Sequence, residues 1–250
     1  MRRIYLGNDC LKIKNKFLIR GETYHYLKNV LKLSKNDLFK GFDGSGREYK
    51  IKIFDVGKRE VIGEVIEEEQ IYTPELNFTL NLFQSLPKGE KFEFIIRETT
   101  QLGVKKIIPV ISKRVIVKIS EEKIDNKIKR WIKIAEEASK VSGRTFIPEI
   151  AKPLKFDNCI MEEKKDIGII FWEGEREITI KDFVKNLKKE DIYNKKINVF
   201  IGPEGGFDEE EIELAKRNGY ISVSLGKRIL KVETASTVAI AILVYEFENL

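Results

Sequence analysis

"VFIGPEGGFDEEEIELAKRNG", residues 199–219, sets out an apolar strand, a loop with three glycines, and then a helix. The helix is punctuated at both ends: Asp208 is a ready N-cap, Glu211 follows three residues on, and Gly219 lies just past the last turn. A glycine loop between strand and helix usually brings backbone amides up to a nucleotide. Here Glu204 sits inside the loop and carboxylates fill residues 208–211, so the positive end of the helix dipole already faces negative charge. A phosphate would be repelled. Neither GxxxxGK[ST] nor GxGxxG occurs in the chain, which removes the P-loop and dinucleotide fingerprints and with them an ATP-dependent reading. Taken alone, Gly205-Gly206 reads equally well as a tight turn.

Outward from this stretch, short apolar runs at 78–83, 106–111, 167–171, 197–201 and 221–225 alternate with helical patterns at 89–102, 121–142, 208–218 and 234–248. That rhythm predicts an α/β domain with a mostly parallel sheet, whose ligands sit beyond the carboxyl ends of the strands. Three loops leave strands there: "FWEGERE" (171–177), "IGPEGGFDEEE" (201–211) and "LGKRILKVETAST" (225–237). Before residue 70 the pattern is different. "KFLIRG" and "LFKGFDGSGREYKIKIFDVGKREVIGEVIEE" read as strands broken by Asp-Gly, Ser-Gly and Val-Gly-Lys turns, with one short helix over 22–33. A small β-barrel over 1–70 and an α/β domain over 71–250 follow, divided at the charge run and proline of "EEEQIYTPE".

At 250 residues the chain can bury a substantial core, and 42% hydrophobic residues argue for folding over disorder. Two cysteines without a CxxC and a single histidine exclude a disulfide framework and a Cys/His metal site, and suit a reducing cytoplasm. The longest apolar run, residues 238–245, is too short to span a bilayer, so the chain reads as soluble with no membrane partner. Residues 1–66 hold fifteen Lys/Arg against eight Asp/Glu, whereas the rest holds 31 against 32. All of the net positive charge lies in the first quarter, either as a solvated surface or as the footprint of a polyanion.

The pair "IGPEGGF" (201–207) and "LGKRILKVETA" (225–235) resembles the two C-terminal signatures of the RsmE family, SPOUT-class methyltransferases of small-subunit ribosomal RNA. "HYLKNVLKL" (25–33), "LPKGEKFEFIIRETTQLGVKKIIPV" (86–110) and "RWIKIAEEASKVSGRTFIPEI" (130–150) match further family segments in order, so the likeness spans the chain. It implies a PUA-like barrel, a C-terminal α/β domain closed by a trefoil knot, and a homodimer through that domain. It also implies S-adenosylmethionine as cofactor and methylation at N3 of one uridine in 16S ribosomal RNA, at position 1498 in standard rRNA numbering, within the assembled small subunit. Pattern reading alone cannot supply a knot. The cofactor carries a sulfonium and an ammonium and no phosphate, which makes a carboxylate-rimmed glycine loop intelligible.

By the same matching, Phe171, Glu173, Ile201, Gly202, Pro203, Glu204, Gly205, Gly206, Leu225, Gly226, Ile229, Leu230, Lys231 and Thr234 line the cofactor pocket. Plain core packing would keep Ile229 and Leu230 apolar as well. Methylating N3 requires loss of the imide proton and stabilisation of the uracil anion. Arg144 and Lys231 are the candidate cations, and Glu204 and Glu233 the candidate bases. Arg2, Arg3, His25, Lys28, Lys32 and Arg144 are the candidate RNA contacts. Three positions depart from the family pattern: Gln101 stands at its carboxylate, Val141 at the glutamine before "SGR", and Lys231 at the arginine of its "ILR". Lysine keeps that charge but not a bidentate grip. Two other readings compete, a SPOUT-class ribose 2′-O-methyltransferase and a non-catalytic RNA-binding protein. The second leaves the paired glycine loops unexplained.

Overall fold

A computed structural model describes residues 2–7, 9–70, 75–117 and 121–249. The expected domain boundary at 70/71 and Pro74 lie against or within 71–74, outside the described residues. The chain divides into two compact units: Met1–Glu75 with Ser139–Ile147, and Leu76–Ala138 with Pro148–Leu250.

The first unit holds β1 (Arg3–Tyr5), β2 (Cys10–Ile13), β3 (Lys16–Ile19), α1 (Gly21–His25), β4 (Leu38–Phe42), β5 (Arg47–Val56) and β6 (Val61–Gln70). They form a six-stranded sheet in the order β1-β4-β5-β6-β3-β2, antiparallel except for β1 beside β4. Period-two alternation turns Phe17, Ile19, Phe39, Ile51 and Ile53 inward, where they are buried together. Helix α1 is shorter than the 22–33 pattern suggests. It passes into a π-helical turn over Tyr26–Val30, closed by the Leu31 N–H on the Tyr26 carbonyl, and stops at Lys32, which has φ +53°.

The segment Ser139–Ile147 is held in this unit by charge and by backbone pairing. Arg144 is 1% exposed and grips Glu75 from both Nε (3.1 Å) and Nη2 (2.7 Å). Arg3 donates to the Arg144 carbonyl at 2.6 Å, stacks 3.9 Å over Phe42 and pairs with Glu48, which also takes Lys40. Ser45 bridges Phe146, and the Gly46 N–H reaches the Thr145 carbonyl.

The second unit carries β7 (Thr79–Ser85), α2 (Lys91–Gln101), β8 (Lys106–Ile111), most of α3 (Glu121–Val141), β9 (Glu149–Ile150), β10 (Leu154–Lys155), α4 (Phe156–Glu162) and β11 (Ile167–Phe171). It continues through α5 (Ile180–Lys185), α6 (Lys189–Ile192), β12 (Lys196–Ile201), α7 (Glu209–Arg217), β13 (Tyr220–Val223) and α8 (Val232–Glu248). Every strand pair is parallel, in the order β10-β8-β7-β12-β11-β13 with β9 also on β8. The central strands β7, β11 and β12 are buried almost throughout, as in a sheet covered on both faces. From the edge strand β13 the chain returns to lay α8 on β12 and α2, the reversal of path that a threaded C-terminus takes. Phe83 stacks on Phe200 at 4.4 Å, Phe156 packs edge-on to Phe200, and Phe207 closes the cluster against Phe156. Phe207 therefore pins the end of the 202–207 loop into the core.

Candidate active site

Parallel strands end together, so the loops after β7, β8, β11, β12 and β13 meet at one edge of the second unit. The carboxylates around the glycines prove to be fasteners. Asp208 caps α7 by accepting the Glu210 N–H, and Glu211, buried, accepts the N–H groups of Asp208 (2.9 Å) and Lys113 (2.8 Å). Arg114 donates to the Gly205 carbonyl (2.9 Å) and to Asp208 (3.2 Å), and Lys113 pairs with Asp208 and Glu210. The loop after β8 thus clamps the glycine loop from one side.

Glu204 fastens the other side. Its carboxylate takes the Lys88 N–H at 3.0 Å and the Lys91 ammonium at 2.7 Å, at the start of α2. Burial alone would raise its pKa, but Lys91 and the backbone donors outweigh burial and hold the carboxyl below its usual range. Lys91 is raised reciprocally, chiefly by its bond to Glu204. Lys91 also lies 3.9 Å from Glu233 of α8, whose Oε2 is buried and has no hydrogen-bond partner among the described residues.

Gly206 has φ +69°, and a Cβ there would stand 1.8 Å from Glu173 Oε1. A Cβ on Gly202 would meet the Gly206 backbone at 3.2 Å. The two glycines therefore pack backbone to backbone, with the Glu173 carboxylate directly over Gly206. The loop after β13 opens at Gly226, φ +116°, whose N–H is capped by Ser224 Oγ. Ser224 is also bonded through its backbone to Ile178 and Ile180, which ties this loop to the one after β11.

Of the expected pocket residues, Phe171, Ile201, Pro203 and Gly206 are buried at or just beyond strand ends, and Leu225 and Leu230 are half-buried. Glu173, Glu204, Gly205, Gly226, Lys231 and Thr234 are exposed, and Ile229 is 88% exposed. Ile229 is therefore not a core residue of this unit. Lys231 is the N-cap of α8 and makes no side-chain cap bond. Arg144, expected as a catalytic cation, belongs to the first unit, where its guanidinium is spent on Glu75. Arg3 is likewise engaged, and Lys28 turns its ammonium onto the Tyr24 hydroxyl and the Gly57 carbonyl. Arg2, His25 and Lys32 are exposed. Gln101 is exposed, and its side chain donates to the Arg97 carbonyl of its own helix.

Sequence reading missed four groups. Gln84, fully buried at the end of β7, reaches towards the carbonyls of Ile201 and Gly202 and accepts from Ser236 of α8. An amide near the end of a strand otherwise rich in apolar residues was its signal. Lys91 and the Lys113-Arg114 pair were visible as cations beside predicted strand ends. Glu175 is 8% exposed and accepts the N–H groups of Arg176 (2.9 Å), Glu177 (2.8 Å) and Ile178 (3.4 Å), which shapes the loop after β11.

That last carboxylate predicts a pH effect. Burial raises the Glu175 pKa, yet the donated bonds outweigh it and leave the carboxyl below its ordinary 4.5. A carboxyl depressed on folding stabilises the protein above its unfolded pKa and withdraws that support as pH falls through the folded value. Glu175→Gln is expected to lower the melting temperature at pH 7 and to flatten its fall below pH 4.5. Parallel melting curves of wild type and variant would remove this role from Glu175.

A cavity of about 570 Å³ opens at the opposite edge of the sheet between Ile160, Lys165, Lys196 and Asn218. It contains none of these groups. Among the described residues no cluster of His, Cys, Asp or Glu is arranged to hold a metal, and no helix is long and apolar enough to cross a membrane.

A parallel α/β unit with this glycine-loop edge, in one chain with a mostly antiparallel unit, defines a class. Residues 74–244 match the RNA methyltransferase domain family, and residues 19–66 match the RNA methyltransferase PUA domain. The chain is similar to ribosomal RNA small subunit methyltransferase E of Synechocystis, with 34% identity over 87% of this chain and 69% of that one. It is similar to the same enzyme of Bacillus subtilis, with 31% identity over 94% and 91%. The enzyme of Neisseria gonorrhoeae, solved bound to S-adenosyl methionine, superposes with a TM-score of 0.83 at 27% identity, over 97% and 96% of the two chains. A Legionella pneumophila methyltransferase solved with its cofactor SAM gives 0.83 at 29% identity, over 96% of each. The chain belongs to the ribosomal RNA small subunit methyltransferase E family of RNA methyltransferases.

Proposed function

We propose that the protein methylates N3 of a uridine in 16S ribosomal RNA, at position 1498 in standard rRNA numbering, in the cytoplasm and on the assembled small subunit. S-adenosylmethionine supplies the methyl group. The observation that carries this reading is the edge built from Gly202, Gly206, Glu173 and the 224–231 loop. It offers backbone groups at close approach, a carboxylate suited to a cationic ligand, an uncovered Ile229 and a half-buried Leu230. Glycines that pack without room for a Cβ, and acidic groups already satisfied by Lys88, Lys91, Lys113 and Arg114, suit a ligand read by the backbone. The relatives solved with this cofactor support the assignment.

For the proton at uracil N3, Glu204 and Glu233 are not equivalent. Glu204 is already filled by Lys88 and Lys91, whereas Glu233 Oε2 has lone pairs to spare. Glu233 therefore accepts the proton, directly or through water, and Lys91 offsets the charge on both carboxylates. Lys231, exposed at the start of α8, is the cation available to the uracil oxygens. Glu233→Gln keeps the size of the side chain and removes its basicity. Single-turnover rates at saturating RNA are expected to fall about 100-fold or more with cofactor affinity kept. An unchanged rate would move the base elsewhere.

A second copy of the chain fits α8. One face, with Val232, Ser236, Ala239, Ile240, Leu243 and Phe247, is buried within the unit. The other presents Ala235, Val238, Ala241 and Ile242 half-exposed and Tyr245 67% exposed, an apolar stripe suited to self-association. The reading as a whole is tested by supplying cofactor with either free 16S rRNA or assembled small subunits. Methyl transfer to subunits is expected, and absence of transfer to both would overturn it.

A further inference from the structure

Two chain segments make up the proposed cofactor edge: the glycine loop after β12, and the stretch from Ser224 into the first turns of α8. One buried side chain reaches both. Gln84 occupies the last rung between β7 and β12, opposite Ile201. It is 0% exposed, and its Nε2 donates to the Ser85 carbonyl at 2.9 Å. The same nitrogen lies 3.5 Å from the carbonyls of Ile201 and Gly202, where the glycine loop leaves the sheet. On the other side, Oε1 accepts from the Ser236 hydroxyl of α8 at 2.5 Å. The surroundings fix the orientation of the amide. With three carbonyls on one side, the NH2 group faces them and Oε1 faces Ser236.

Packing alone does not call for an amide here. A methionine of similar volume would fill the space. Without Gln84, the Ser236 hydroxyl would still have the Val232 carbonyl of its own helix, 2.8 Å away. Burying an amide costs free energy unless its bonds are made, and these bonds join segments 117 and 152 positions away from Gln84. Glu233, the proposed base, precedes Ser236 by one turn of the same helix, so any shift of α8 against the loop moves it. Lys91 bridges the same two segments from the solvent side, 2.7 Å from Glu204 and 3.9 Å from Glu233. That bridge is screened by salt; the one through Gln84 is sheltered from it.

We propose that Gln84 is a positioning residue whose amide fixes the spacing between the glycine loop and α8, and thereby sets the affinity for S-adenosylmethionine. It acts through Gly202 on one side and Ser236 on the other and, being fully buried, meets no reacting atom. The proposal rests on the cofactor reading above and names the side chain that holds the two halves of that site together.

The test measures cofactor affinity of the full chain by calorimetry and, without cofactor, backbone hydrogen exchange. Gln84→Met and Ser236→Ala are each expected to weaken S-adenosylmethionine binding about tenfold. The double variant is expected to bind no more weakly than Gln84→Met, because both changes remove one bridge. In the cofactor-free variants, amides of 202–206 and 226–234 should exchange faster together, while those of β8 and β11 keep wild-type protection. A loss of core packing alone would instead speed exchange throughout the sheet. Ser236→Ala leaves α8 its own backbone bonds and carries the test by itself should Gln84→Met fail to fold. Wild-type affinity in the folded single variants overturns the proposal, whatever their melting temperatures. So do additive losses in the double variant, or faster exchange spread over all strands. If wild type binds no S-adenosylmethionine, the functional reading fails, and the exchange pattern decides whether Gln84 couples the two segments.

Discussion

Gly206→Val is expected to abolish S-adenosylmethionine binding while the parallel sheet stays folded. The glycine has φ +69°, where a β-branched residue is strained by about 1–3 kcal/mol. Its new Cβ would also fall 1.8 Å from Glu173 Oε1 and 2.5 Å from Glu173 Cδ. The carboxylate could swing aside, but only by leaving the place where it faces the loop. The backbone has less freedom still, because Gly202 lies against Gly206 and Phe207 is anchored in the aromatic core. Strain therefore opens the loop and leaves the core in place. Calorimetry should register no heat with the variant, and circular dichroism should match wild type. Unchanged affinity would take the glycine loop out of the cofactor site.

Arg144→Ala is expected to cost about 3–5 kcal/mol, because it leaves the Glu75 carboxylate without its buried partner. For a chain of this size that corresponds to a fall of roughly 10 °C in melting temperature. Arg144→Lys should recover only part, since an ammonium cannot grip both carboxylate edges. Gln101→Ala, on an exposed face, should stay within about 0.5 kcal/mol of wild type and lower turnover less than Arg144→Ala. Thermal melts and single-turnover rates below both melting points separate stability from chemistry. If Arg144→Ala melts with wild type yet loses turnover, the guanidinium acts on the substrate.

The strands at 106–111 and 167–171 were readable to the residue because continuous apolar runs ended abruptly in polar turns. The capping box at Asp208 and Glu211 was readable for the same local reason. What escaped the sequence was long-range. The amphipathic pattern of α3 runs unbroken through Val141, so nothing local announces that Ser139–Ile147 rejoins the first unit. Contacts with residues far away in sequence record it, among them Arg144 on Glu75, Arg3 on the Arg144 carbonyl and Gly46 on Thr145. One cut at the charge run would therefore separate Ser139–Ile147 from the strands it pairs with. The partners of the acidic loop were out of reach for the same reason: Lys88, Lys91, Lys113 and Arg114, which hold its carboxylates, come from segments distant in sequence.

Uridine N3-methylation is tested most directly by nucleoside mass mapping of 16S ribosomal RNA from cells lacking this protein. The account predicts loss of a single N3-methyluridine, at position 1498 in standard rRNA numbering, restored by the wild-type chain and not by Gly206→Val. Loss of a ribose 2′-O-methyl group instead, or an unchanged modification map, would contradict it.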